Sequence, residues 1–493
     1  MQISSYAQSA TMRSNLSQIQ TQLADLQRQL ASGRKADSFA KLGDARNLVL
    51  ALNNQVSQSN SYLDTINMTQ TRIKASSDAL TRVDQIASEM KTGGLTSQFN
   101  LTGSGQTSLQ TNAGMRLGEL VDLLNLSVAD RRLFGGKDTQ TEPVETADLI
   151  LNGDTGRAGL KQVIAERAAA DLGDGRGRLA LSSPTPTSVS LAEDAAPSPF
   201  GFKLSAVSST LNGATVTGPA GTPAALDIDF GASLPSEGDA ISMDFMLPDG
   251  TKRTVTLTAT ADNPPGKGQF TVGPDATATA ANFRAALDTA IQGEAQTTLK
   301  AASAVQAGND FFSNPPMRVT GPAFATATAM QAGTPADTVF WYKGDTNGTA
   351  GNNFIATIGD GSQIAYGARA DQSALRTVVQ STAVLAAVSY SATDANAPAS
   401  YSALTQRTSA ALAFNNTQSV QSVVTDLGLK ASTLDMSKKN LQTQISTSQT
   451  LLDNTQNADP YTVATQLTTL VTQLQASYQV TSTLSKLSLV NYL

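Results

Sequence analysis

The chain has 493 residues, 34 of them basic and 40 acidic, for a formal charge of −6. That balance argues against general nucleic-acid binding, which needs a cationic footprint, and no basic run offers a grip on an anionic membrane surface. Cys and His are both absent, which excludes disulfides, thiolate metal sites, Ser-His-Asp hydrolysis and His-ligated zinc, and leaves only carboxylate chemistry open.

Aromatic residues make up 5% of the chain, a level more usual in elongated helical and repetitive β proteins than in compact enzymes. The opening MQISSYAQSATMRSNLSQ has no positive n-region ahead of an apolar h-region, so no cleaved secretory signal is expected. No window approaches the ~20 consecutive apolar residues of a membrane span.

The first element is a helix. Met12, Leu16, Ile19, Leu23, Leu26 and Leu30 recur at alternating spacings of four and three, a heptad seam, and the run stops at Ser32-Gly33. A second seam runs from Val49 through Leu52, Val56, Ser59, Leu63, Ile66, Gln70, Ile73, Ser77 and Leu80 to Val83, Ala87 and Met90, with Gly93-Gly94 as its expected end. A straight helix from Leu48 to Lys91 would be roughly 65 Å long at about 1.5 Å per residue. A third apolar stretch, Leu109 to Val128, leads into RRLFGG, where Gly135 and Gly136 read as a helix C-cap.

Between about residues 140 and 400 the heptads vanish and Gly, Pro, Thr and Asp increase. In ISMDFMLPDGTKRTVTLTATA, Ile241, Met243, Phe245 and Leu247 alternate, Pro248-Asp249-Gly250 makes a turn, and Val255, Leu257 and Ala259 alternate again. That is a β-hairpin. ALDIDFGA predicts a strand with Leu226, Ile228 and Phe230 on one face, and TATAANFRAALDTAIQ a helix burying Phe283, Leu287 and Ile291. TVFWYKGDTNG carries the single Trp, and GSQIAYGARADQSALRTVVQSTAVLAAVS predicts a strand followed by a helix. Phe245, Phe340 and Trp341 are the expected core of this α+β region.

The helical pattern then returns. Leu427, Leu434, Leu441, Ile445 and Leu452 keep a heptad, Asp459 and Pro460 read as N-cap and first helical residue, and Val463, Leu467, Leu470, Leu474, Ser477, Thr481 and Leu484 form a last seam. The final ten residues, LSKLSLVNYL, are an apolar strip. Burying one Leu side chain stabilises by about 1.5–3 kcal/mol, so seams of this length need partners. The expected fold is mainly α at both termini, with long antiparallel or coiled-coil helices, and an inserted α+β domain in an elongated molecule. The expected segments are an assembly helix at 1–47, a rod at 48–138, the inserted outer domain at 139–402, the rod's return at 403–457 and a second assembly helix at 458–493. The candidate assembly interface is Leu16, Ile19, Leu23, Leu26, Leu30, Leu467, Leu470, Leu474, Leu484, Leu487, Leu489, Val490 and Leu493.

Catalytic and ligand motifs are weak. GDGRGR at 173–178 and NPPGKGQF at 263–270 lack the P-loop pattern and read as loops. Asp227 and Asp229 share a strand face, which reads as a solvated face before it reads as a cation site. The lone Trp341 fits a core better than a sugar platform. No cofactor or metal site is expected, and no constellation reads as catalytic.

LADLQRQL followed by ASGRKADSFAKLGDA at 31–45 resembles the N-terminal signature of bacterial flagellins and their relatives. TRVDQIASEM at 81–90 is similar to their second helix, RRLFGG to the end of their N-terminal block, and QLTTLVTQLQASYQVTSTLSKLSLVNYL to their C-terminal helix. Asp84 stands where many flagellins carry Arg, a departure from the receptor-recognised pattern. Within this superfamily the closing SLVNYL and the middle segment more closely resemble junction-type, hook-associated members than filament members. The resemblance implies a non-enzymatic structural part of the flagellum that joins hook to filament by coiled-coil packing of its terminal helices. It implies neighbouring copies, a hook-side associated protein and flagellin as partners, with export machinery and a chaperone. It also implies an extracellular location reached without a cleaved signal, with no nucleic acid and no membrane insertion. Two alternatives are a flagellin forming the filament itself, and a surface adhesin or glycan-binding protein working through the middle domain.

Overall fold

The structure is a computed structural model that describes residues 2–490 except Ser104, Ala195 and Asn416. Within the first and last helices, the side chains of residues 2–5, Gln8 and 484–490 lie outside the described set. The chain divides into two compact units. The first comprises Met1–Gln70, Ala356–Ile364 and Ala431–Leu493; the second comprises Thr71–Ile355 and Ala365–Lys430.

The first unit is built on helices. Helix α1 (Gln2–Ser32) ends where expected. Gly33 takes φ +68° and its N–H bonds the Gln29 carbonyl at 2.8 Å, a left-handed stop that other residues adopt only with strain. Helix α2 (Ala45–Thr96) contributes its residues up to Gln70, and helix α10 (Val420–Gln456) those from Ala431 onward. These two stretches run antiparallel, as three cross-helix bonds show: Gln70 to Asp435 at 2.6 Å, Lys438 to Asn67 at 2.8 Å and Ser448 to Gln55 at 3.4 Å. Leu52, Ser59 and Ile66 repeat at heptad spacing and are buried, with Leu434 and Leu441 buried on the facing helix. Strands β13 (Phe354–Gly359) and β14 (Ser362–Tyr366) form a hairpin whose tip belongs to this unit, where Ser437 donates to the Ile358 carbonyl at 3.1 Å. Helix α11 (Pro460–Val490) completes it.

The second unit holds the strands. After α3 (Ser108–Leu124) come the short hairpin β1 (Ser127–Val128) and β2 (Arg131–Arg132), then α4 (Ala147–Asn152) and α5 (Leu160–Leu172). One four-stranded sheet joins β3 (Leu179–Ser182), β4 (Ser188–Glu193), β7 (Ala225–Phe230) and β6 (Ala214–Ala220) in that order. The other has the order β10 (Gln269–Thr271), β9 (Lys252–Thr260), β8 (Ala240–Met246), β5 (Lys203–Ser209). The hairpin read from the sequence is β8–β9, with Ile241 opposite Leu257 and Met243 opposite Val255. Helix α6 (Ala276–Glu294) lays Phe283, Leu287 and Ile291 into the core shared by both sheets, and Phe230, Phe270 and Phe283 meet edge to face there. A π turn over Ala295–Leu299 leads into α7 (Lys300–Phe311). The small pair β11 (Met317–Val319) and β12 (Met330–Ala332) follows, then α8 (Ser373–Ala387) and α9 (Ala397–Ala411).

Four expectations need correction. Gly93-Gly94 does not end α2, which continues to Thr96. A Cβ on Gly93 would lie 2.6 Å from Leu109, and one on Gly94 2.3 Å from the Ser409 hydroxyl, so these glycines admit close neighbours within a helix. The third apolar helix stops at Leu124, short of Val128, and LFGG is not a helix C-cap. There Phe134 is fully buried, Gly135 bridges to Arg369, and a Cβ on Gly135 would lie 2.3 Å from the Asp138 carbonyl, which makes the pair a tight chain reversal. Finally, Phe340 is half-buried and its neighbour Val339 is buried instead, while Trp341 lies in the core as expected, its indole N–H donating to the Phe312 carbonyl at 3.2 Å.

Candidate assembly site

The two ends of the chain meet in the first unit. Asp459 caps α11, its carboxylate accepting from the Tyr461 N–H at 3.2 Å and the Thr462 N–H at 3.3 Å. The Thr462 hydroxyl, then these backbone donors, hold the Asp459 carboxyl below its ordinary value of 3.8. The segment after α1 pairs with the segment before α11: Lys35 N–H to Gln456 O at 2.8 Å, and Ala458 N–H to Gly33 O at 2.9 Å. The Lys35 ammonium also donates to the Asn454 carbonyl at 2.6 Å. This clip sets α1 and α11 antiparallel. Leu26 then packs with Ala458 and Val463, flanked by Leu467 and Leu470. Farther along, Gln20 donates to the Tyr478 hydroxyl at 3.3 Å and Thr481 to the Met12 sulfur at 3.9 Å.

The predicted interface residues fall into three groups. Leu16, Ile19, Leu23, Leu26, Leu467, Leu470 and Leu474 are all buried or half-buried, and Leu26, Leu467 and Leu470 share one cluster. Leu30 is 46% exposed. Leu484, Leu487, Leu489 and Val490 lie on α11 with side chains outside the described residues, and Leu493 lies outside them altogether.

Sequence reasoning missed the Gly33–Lys35 clip, whose bonds are mostly between backbone groups and leave little mark in residue type. It also missed Tyr461, Tyr478 and Val480, which are exposed on α11 because they stand off the heptad. Charge at this site sits on the link between α1 and α2. Asp37 pairs with Arg28 at 2.8 Å and Lys41 at 3.0 Å, and the Lys41 hydrogen bond, with the charge of both bases, lowers its carboxyl from 3.8.

Of the motifs weighed for chemistry, GDGRGR and the Asp227–Asp229 strand face have structural explanations. Arg176 of GDGRGR pairs with Asp288 at 2.7 Å and Asp174 at 2.9 Å. Asp227 and Asp229 are exposed, and Asp229 accepts from Thr187 at 2.8 Å. Buried Arg167 binds Asp171 and Asp310, each at 2.9 Å, and its guanidinium lies 5.0 Å from the Phe200 ring; burial pushes both carboxyls up. Among the described residues no group of three or more acidic side chains could hold a metal ion. No described helix is long and apolar enough to cross a membrane.

Comparison with known families accounts for the paired terminal helices around an inserted strand-bearing region. Residues 3–139 match the bacterial flagellin N-terminal helical region, and residues 411–493 match the bacterial flagellin C-terminal helical region. The chain thus carries matches to both flagellin helical regions, which support a structural flagellar role. That family is structural, exported and self-assembling into polymers. No curated protein matches the chain.

Proposed function

We propose that this protein joins hook to filament, with α1 and α11 forming its inner assembly layer. The observation that carries this reading is the incomplete cover of the paired helices. Their seam closes around Leu26, yet Leu30, Tyr461, Tyr478 and Val480 stay exposed on the same two helices. Large apolar groups left in water on an assembly helix are surface for neighbouring chains. In this reading those neighbours are copies of the protein, a hook-side associated protein and flagellin. The chain reaches the cell exterior through the flagellar export machinery, with a chaperone. The resemblance of Ser488-Leu489-Val490-Asn491-Tyr492-Leu493 and of the middle segment to junction-type members supports the junction over the filament.

Immunogold labelling of intact flagella tests the proposal. A single band at the distal end of the hook is expected. Label along the whole filament would overturn it and assign the chain to the filament itself.

A further inference from the structure

The second unit carries an open groove of about 1810 Å³, bounded on one side by β9 and α6 and on the other by α8 and α9. Pockets for drug-sized ligands span about 300–1,000 Å³, so this groove has room for several linked units. Its walls are hydroxyls and amides with small methyl groups between them: Thr254, Thr256 and Thr289 on one side, Gln380 and Gln406 on the other. Among the described residues, no aromatic ring lines it.

Its charge opposes that of the chain. Five basic side chains against two acidic ones line the groove, in a protein whose formal charge is −6. Three of the five are held in ion pairs: Arg253 with Glu294 at 2.7 Å, Arg407 with Asp249 at 2.8 Å and Lys252 with Asp244 at 2.7 Å. The other two, Lys267 and Arg376, make no ion pair among the described residues, and they come from opposite walls.

We propose that this groove binds an anionic polysaccharide, a chain of carboxylate-bearing sugars. Lys267 and Arg376 take the carboxylates, and the Thr hydroxyls and Gln amides bond the ring hydroxyls. The missing aromatic platform disfavours neutral sugars, which are held by stacking. The apolar contacts of the described lining are Val, Ala and Pro, with no Leu, Ile or Met socket for the side-chain anchors of a peptide. The inference is independent of the assembly reading.

The test is calorimetric titration of the full-length protein with oligogalacturonate, its fully methyl-esterified form and poly-glutamate. Oligogalacturonate alone should bind, more weakly as salt rises. The double variant Lys267→Gln/Arg376→Gln should weaken binding about tenfold or more, as expected for loss of charge-assisted contacts. Thr289→Glu, at an exposed position on the α6 wall, should do the same if the double variant fails to fold. Lys161→Gln, a substitution outside the groove, should change nothing. Equal binding by the methyl ester, undiminished binding by the folded variants, tighter binding of poly-glutamate, or no binding of oligogalacturonate would each overturn the proposal.

Discussion

Leu26 and Leu30 are neighbours on one helical seam, yet Leu26 is 8% exposed and Leu30 46%. Residue type and spacing are the same, so the difference lies in what faces them. Leu26 meets Ala458 and Val463 at the start of α11, next to the clip that joins the two helices. Leu26→Ala should therefore cost about 2 kcal/mol, the low end for a buried leucine because the cluster is small. Leu30→Ala should leave the isolated monomer within about 0.5 kcal/mol of the parent, as surface changes do. Chemical denaturation of monomeric protein, followed by far-UV circular dichroism, measures both. Equal losses would mean that the α1–α11 seam does not discriminate between these positions.

The helices show how much a period alone reveals. Leu52, Ser59, Ile66, Ile73, Leu80 and Ala87 repeat every seventh residue in α2 and all are buried, so the seam was legible even where Ser replaced Leu. The β8–β9 hairpin was legible for a similar reason, since alternation and a Pro-Asp-Gly turn specify register together. Glycine misled, because its residue type does not tell a helix stop from a close approach. Gly33 has positive φ and stops α1, whereas Gly94 sits inside α2 against α9. The groove was not legible, because Thr254, Thr289, Arg376 and Gln406 come from four separate elements that only tertiary packing assembles.

Gly94→Ala tests the close approach. In an exposed helix that change stabilises by about 1 kcal/mol. Here the new methyl would meet the Ser409 hydroxyl at 2.3 Å and the Thr405 carbonyl at 3.2 Å, and that hydroxyl already bonds the Lys91 carbonyl. Overpacking of about 1–3 kcal/mol should outweigh the propensity gain and lower the thermal midpoint. A raised midpoint would show that α9 yields freely.

For the molecule as a whole, the proposed division of labour places assembly at the terminal helices and leaves the middle free to vary. Deleting residues 484–493 should keep the second unit folded, with its near-UV signal from Trp341 intact, and abolish incorporation into flagella. A truncated protein that still restored filament growth to a strain lacking the gene would show that these ten residues are dispensable for assembly.

The first unit is also discontinuous: it draws on Met1–Gln70, the short stretch Ala356–Ile364 and Ala431–Leu493. Most contacts of the second unit need nothing beyond Lys430. Bringing the distant stretches of the first unit together carries the entropy of closing a very long loop. A chain that emerges N-terminus first can therefore settle its middle while its beginning still lacks the partner it will pair with. The order in which the chain emerges would then act as a timer: the proposed assembly seam can close only once α11 has followed the middle.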